Sequence, residues 1–250
     1  LGVALFAINS SRDIEASKGG DVAVAGSQDF NVLLINALDD PEVRLAVFNA
    51  FRKAVNEQNE VAAINQFKLE LKNPRMPDIR NRTFFGALDA PVTIVEYQNF
   101  QCPACASAAS LAFDALKDHP VKLLVKHLPT DEASYKGAFY FEALLRQDVE
   151  LAKEFMDFAF KNASRIKDNV NILDHFIKIE KRGEIDMDRF NSDLSSGEID
   201  RLIDADIREA TEYNFNGVPV FLINGAAIHG AVPADIFNKA VGLAAMEAMK

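Results

Sequence analysis

The sequence is poor in several features, and each scarcity narrows what the protein can be. Only two cysteines, Cys102 and Cys105, occur in 250 residues, too few for a disulfide-stapled scaffold. Glycine (12) and proline (9) are sparse while 49% of the residues are hydrophobic, which excludes a disordered or irregular chain. Tryptophan is absent, and no apolar run is long enough to span a bilayer. Positive charge is also short: 27 Lys and Arg stand against 37 Asp and Glu, for a net charge of −10. That balance disfavours a phosphate backbone, so nucleic acid is not expected as a partner. The four histidines, His119, His127, His175 and His229, are scattered without metal-ligand spacing, so no metal site is expected. The composition describes a soluble, mostly helical globular chain of one large domain or two modest ones.

The first 26 residues are read as a flexible segment. Within it Leu1 to Ile8 is apolar but short, fitting either the tail of a secretory signal's apolar region or a packing segment. Residues 27–83 read as a helical extension. Ser27 is a candidate cap ahead of Phe30 to Leu38, and Asp40-Pro41-Glu42 carries cap, proline and first-turn acid for a second helix. Val43, Val47, Phe48, Phe51 and Val55 recur at helical spacing, and Val61, Ile64, Phe67 and Leu71 mark a third stretch that Asn73-Pro74 ends. Helices this short cannot enclose a core. They either pack on the rest of the chain or pair with a second copy of it, making the extension a candidate oligomerisation region.

After a linker from Pro74 to Ala90 the pattern changes. Val92, Thr93, Ile94 and Val95 form a β-branched run without polar alternation, fitting a central strand buried on both faces. Cys102 to Lys117 reads as a helix and Val121 to Leu128 as a second strand, a βαβ unit with a parallel pair. Periodicity is helical almost throughout 131–213, with Ile199, Leu202, Ile203, Ile207 and Ala210 on one face of the last helix. Val220 to Ile223, the Asn224-Gly225 turn and Ala226 to His229 make a hairpin, and Pro233 opens a final helix. The fold class is therefore α/β, a small mixed sheet flanked by helices with a helical insertion.

Chemistry concentrates at the C-x-x-C pair after the first strand. Residues three apart on a helix share a face, so the sulfurs of Cys102 and Cys105 can close a disulfide. Cys102 at a helix N-terminus meets unpaired N–H groups and the macrodipole, which favour a thiolate. Pro103 at the first helical position fixes the turn without losing a hydrogen bond. Redox chemistry is the reading this context favours; a two-thiolate Cu(I) site is the alternative that soft sulfur leaves open. Glu96 lies inside the apolar strand six residues before Cys102. A carboxylate there is costly to ionise, so it can accept and return the proton of Cys105; a solvent-facing or backbone-capping acid is the other reading. Val218-Pro219, at a strand's start, suggests a special turn or a cis bond.

Phe85 to Ala106 (FGALDAPVTIVEYQNFQCPACA) together with Gly217 to Gly225 (GVPVFLING) resembles the DsbA-like branch of the thioredoxin superfamily, over roughly 84–250. The resemblance implies a thioredoxin-like sheet with an inserted helical subdomain at about 131–213. It implies catalysis by Cys102 as nucleophile and Cys105 as resolving thiol, with Glu96 as buried acid. Val218 and Pro219 would hold substrate backbone, and no cofactor would be needed. The expected function is a periplasmic thiol:disulfide oxidoreductase acting on exported proteins with cysteines and served by a membrane or soluble redox partner. The dipeptide Pro103-Ala104 departs from the Pro-His of the best-known oxidase, which predicts a less oxidising pair. Val218 leans toward an oxidase, because the family's isomerases usually carry threonine there. Related proteins with N-terminal extensions are often dimers or trimers, so an oligomeric isomerase or reductase is the alternative. A chaperone or Cu(I)-binding protein is the third reading.

Overall fold

The computed structural model describes residues 35–250; the segment 1–26 expected as a flexible connection, and the helix start expected from Ser27, lie outside the described residues. Residues 35–39 are helical, followed by α1 (Pro41–Glu70), 30 residues long. The two stretches expected as separate helices from Pro41 and Val61 are thus one. Asn56-Glu57-Gln58-Asn59-Glu60 interrupts the apolar spacing, but it contains neither proline nor glycine to break a helix. The described residues divide into two units at the Ala62–Ala63 boundary. In the first, Leu45, Phe48, Phe51, Val55 and Val61 are exposed.

The second unit holds a five-stranded sheet in the order β1-β3-β2-β4-β5. Its strands are β1 (Phe85–Gly86), β2 (Val92–Gln98), β3 (Val121–His127), β4 (Val220–Ile223) and β5 (Ala226–His229). β2 and β3 are parallel, and every other pairing is antiparallel. The short β1 was not expected, since the segment reads as linker; only Phe85 and Gly86 pair, opposite Leu123 and Lys122. The β-branched run sits at the sheet's centre, where both faces are covered, and all of β2 but Thr93 is buried.

Side chains alternate across β2 and divide the core. Ile94 joins the larger cluster with α2 (Pro103–Asp118) and the final helix α9 (Ala234–Ala248), while Val95 and Tyr97 join a smaller one beneath α8 (Glu198–Glu212). Between β3 and α8 run α3 (Glu132–Leu145), α4 (Val149–Lys161), α5 (Ala163–Asp168), α6 (Ile172–His175), a π-helical turn (Phe176–Glu180) and α7 (Met187–Ser195). α3 starts at a reciprocal cap between Asp131 and Ser134. The β4–β5 turn needs positive φ at Asn224 (47°) and Gly225 (84°). A Cβ on Gly225 would meet the Arg75 carbonyl at 2.2 Å, so no other residue fits.

Candidate active site

β2 ends at Gln98 and the chain turns through Asn99-Phe100-Gln101 into α2. Asn99 shapes that turn. Its Oδ1 accepts from the Gln101 N–H (2.7 Å), its Nδ2 donates to the Leu128 carbonyl (2.9 Å), and its own carbonyl accepts from Cys102 N–H (3.0 Å). The sequence reading passed over Asn99, although an Asn binding the backbone two residues on is a legible turn signal. Phe100 anchors the same turn among Phe141, Phe155 and Phe160. Gly137 of α3 packs against it, and a Cβ there would touch the Phe100 ring at 2.9 Å.

Cys102 is the N-cap of α2 and Pro103 follows in its first turn. The Cys102 Sγ accepts from the Cys105 N–H at 3.2 Å and lies 3.5 Å from the Val218 carbonyl. The peptide bond Val218-Pro219 is cis, so the two separate motifs of the sequence meet at one mouth. Cys102 is half-buried, Cys105 is fully buried, and both thiols are free. Pro103 and Ala104 are exposed beside them. Burial pushes the Cys105 thiol far above its ordinary range, with the bond to Cys102 and nearby Glu96 adding to the effect. The outer, half-buried sulfur is thus suited to attack, and the inner one can become a thiolate only if something takes its proton.

Glu96 has no exposed surface, and neither carboxylate oxygen has a partner. The solvent-facing and backbone-capping alternatives for it are therefore excluded. Burial pushes its carboxyl up to about 8, a range in which a carboxyl exchanges protons near neutrality.

A second cluster of ionisable groups was not read from the sequence. Arg82 is buried, with Nη1 on Asp206 (2.8 Å) and Nη2 on the Val125 carbonyl (2.9 Å) and Glu142 (3.4 Å). The Asp206 carboxylate also accepts from the His127 N–H (3.1 Å), and Lys126 pairs with Asp206 and Glu209. β1 covers the outer edge of β3 only at Lys122 and Leu123; Arg82 and Asp206 satisfy the backbone groups further along. The available signals were Asp206 on the apolar stripe of α8, between Ile203 and Ala210, and Lys126-His127 closing an apolar strand. Among the described residues no group of three or more His, Cys, Asp or Glu is placed to hold a metal, and no helix is long and apolar enough to cross a membrane.

The thioredoxin family model matches residues 79–242. The chain belongs to the thioredoxin family. The probable disulfide bond formation protein D of Bacillus anthracis is 30% identical over 149 residues, covering 56% of this chain and 68% of that protein. A Na(+)/H(+) antiporter, NhaA 3 of Salinispora tropica, is 29% identical over 160 residues. The chain spans about a quarter of that antiporter's length (24%) against 62% of its own. Oxidised BdbD from Bacillus subtilis superposes with a TM-score of 0.59 at 18% identity, covering 69% of this chain and 97% of that one. ScsC from Proteus mirabilis, in a transitional conformation, covers 90% of this chain and 100% of its own at a TM-score of 0.51 and 15% identity. The thioredoxin-like mixed sheet with its helical insertion thus stands.

Proposed function

We propose that this thioredoxin-family protein is a periplasmic oxidoreductase that forms or exchanges disulfides in exported proteins through Cys102 and Cys105. The observation that carries the reading is the half-buried Cys102 at a helix N-cap, 3.5 Å from the carbonyl of the cis Val218-Pro219 bond, with a buried thiol beneath it. In the oxidised protein a substrate thiolate attacks Cys102 Sγ, and the electron pair of the broken bond goes to Cys105, which takes a proton from Glu96. A second substrate thiolate then attacks the substrate sulfur of the mixed disulfide and releases the dithiol. In the reverse direction the Cys102 thiolate attacks a substrate disulfide and Cys105 resolves it, giving its proton to Glu96. Val218 and Pro219 lie where an extended substrate would pass, and Pro103 and Ala104 tune the helix N-terminus. No organic cofactor or metal takes part; a membrane or soluble redox partner resets the pair.

With a disulfide-containing substrate, Cys102→Ser should abolish turnover and Cys105→Ser should accumulate mixed disulfides, read by mass spectrometry. Accumulation in neither variant would refute the two roles.

The oligomeric isomerase or reductase is the second reading, favoured by one observation: Leu45, Phe48, Phe51 and Val55 are exposed on one side of α1, an apolar stripe suited to a homo-oligomer of two or three copies. Removing everything before Phe84 would also remove Phe67 and Arg82, both buried in the domain. Paired substitutions Phe48→Asp and Phe51→Asp in the full chain are therefore the better test. Light scattering and refolding of a scrambled, disulfide-rich substrate should show loss of assembly and of isomerisation together if this reading holds.

A further inference from the structure

Proton traffic at Cys105 poses a problem that Glu96 alone does not solve. Glu96 has no exposed surface and neither carboxylate oxygen has a partner, so a proton it accepts has to be held or passed on within the fold. Its flanking partners are apolar: Val125 on β3 and Phe221 on β4 are its register neighbours. The buried side chains of α9 are all apolar, Phe237 and Val241 among them. The Cys105 thiol of α2 is close enough for the Glu96 charge to raise its proton affinity.

One direction is different. Gln98 lies two residues further along β2, about 6.6 Å away and on the same face. It has no exposed surface, and both its side-chain oxygen and nitrogen lack partners. Its register partner across the parallel ladder is His127, stacked on Phe100 and 1% exposed. His127 Nε2 lies 3.0 Å from Glu142 Oε1, while Nδ1 is buried and unpartnered. Burial alone would raise Glu142, but the hydrogen bond from His127 and the Arg82 charge hold its carboxyl below the usual range. An ionised carboxylate only accepts, so Nε2 carries the hydrogen of this bond, and in the neutral ring Nδ1 is then the nitrogen that can accept a proton. The other groups around His127 are accounted for: Asp206 takes its backbone N–H, and Arg82 and Lys126 pair with Asp206.

Three buried side chains with unpartnered polar atoms thus lie in a row on one face, a setting that internal water satisfies with three polar partners. We propose that Gln98 and His127 extend Glu96 into a buried proton path, in which the proton of Cys105 passes to Glu96 and then, through water held by the Gln98 amide, to Nδ1 of His127. The inference rests on the thiol–disulfide reading of Cys102 and Cys105. In the resolving step the Cys105 sulfur attacks Cys102 Sγ, a new S–S bond forms, and the old one breaks with its electron pair leaving on the substrate thiolate. The Cys105 proton ends on His127, whose positive charge Glu142 balances. In the opposite direction the same proton returns to the departing Cys105 thiolate. His127 and Gln98 are positioning residues: they touch neither sulfur and act through Glu96.

The test separates the two sulfur steps. Reduced full-length protein is mixed with dithio-bis-nitrobenzoate, whose released thiolate is coloured. The first burst reports attack by Cys102, and the second reports resolution by Cys105. The bursts are followed from about pH 5 to about pH 9, in light and heavy water, across the histidine and raised Glu96 ranges. Gln98→Leu and His127→Phe should each leave the first burst unchanged and slow the second roughly tenfold to a hundredfold, the lower end of general acid–base effects. They should also flatten its pH profile and change its solvent isotope effect, which a purely structural role would not do. An unchanged second burst in Gln98→Leu beside a normal wild type overturns the path, whether or not His127→Phe folds. A wild type without a second burst, or a Cys102→Ser variant that keeps the first, overturns the thiol–disulfide reading and the path with it.

Discussion

On the α8 side of the sheet, Lys126 is 2% exposed and meets Asp206 and Glu209, and the Tyr97 hydroxyl donates to Glu209. On the α2 side, Glu96 and Gln98 are just as deeply buried, and the polar atoms of their side chains have no partner. The same strands, β2 and β3, supply both sets. Where charges are paired, burial costs are offset by attraction and the groups hold backbone edges and helices in place. Where a carboxyl is left alone, burial instead raises its proton affinity. The second arrangement weakens the fold near neutral pH and places an acid that exchanges protons beside a thiol that needs one.

Glu96→Gln probes the unpaired side and should have the largest effect. A carboxyl raised from 4.5 to about 8 keeps its proton in the folded state where the unfolded chain has lost it. The unfolded chain therefore binds fewer protons, and stability falls as pH rises from about 4.5 to about 8. Gln removes that dependence: denaturant unfolding at about pH 9 should show a gain approaching roughly 5 kcal/mol, and little change at about pH 4. An equal gain at both pH values would show that the carboxyl is not the cause. Asp206→Ala probes the paired side, with the opposite sign. It leaves Arg82 and Lys126 short of a buried counter-charge, and unfolding should show a loss of about 3–5 kcal/mol.

Ala104→His sharpens the comparison at the surface end of the site. An imidazolium beside the α2 N-terminus favours the Cys102 thiolate, so the pair should become more oxidising. The shift should be about 30 mV, read against a glutathione buffer, for each 1.4 kcal/mol of thiolate stabilisation. The smallest effect is expected where an ion pair is exposed. Arg80 pairs with Asp78 at 2.7 Å, but both side chains are largely open to solvent. Arg80→Ala should leave the denaturant midpoint nearly unchanged, in contrast to Asp206→Ala.

The parts of the site that were legible in the sequence are those whose signals are local. Cys102-Pro103-Ala104-Cys105 after an apolar strand marks a cap and a thiol pair within one helical turn. Glu96 stands out because Val92, Ile94 and Val95 before it in the strand are apolar. Asn224-Gly225 announces the hairpin through its need for positive φ, which the structure shows. Val218-Pro219 could be singled out, but not its contact with a sulfur 116 positions earlier.

What the sequence by itself determined is the set of elements around the cysteine pair, because strand burial, helix capping and turn geometry each depend on a few adjacent residues. The tertiary structure alone decided that Arg82 answers Asp206 and Glu142, that His127 turns one nitrogen to Glu142 and leaves the other unpartnered, and that α1 continues without a break. Those outcomes depend on which distant groups share one low-dielectric space. A charge there is settled by its partners across the fold and not by its neighbours along the chain.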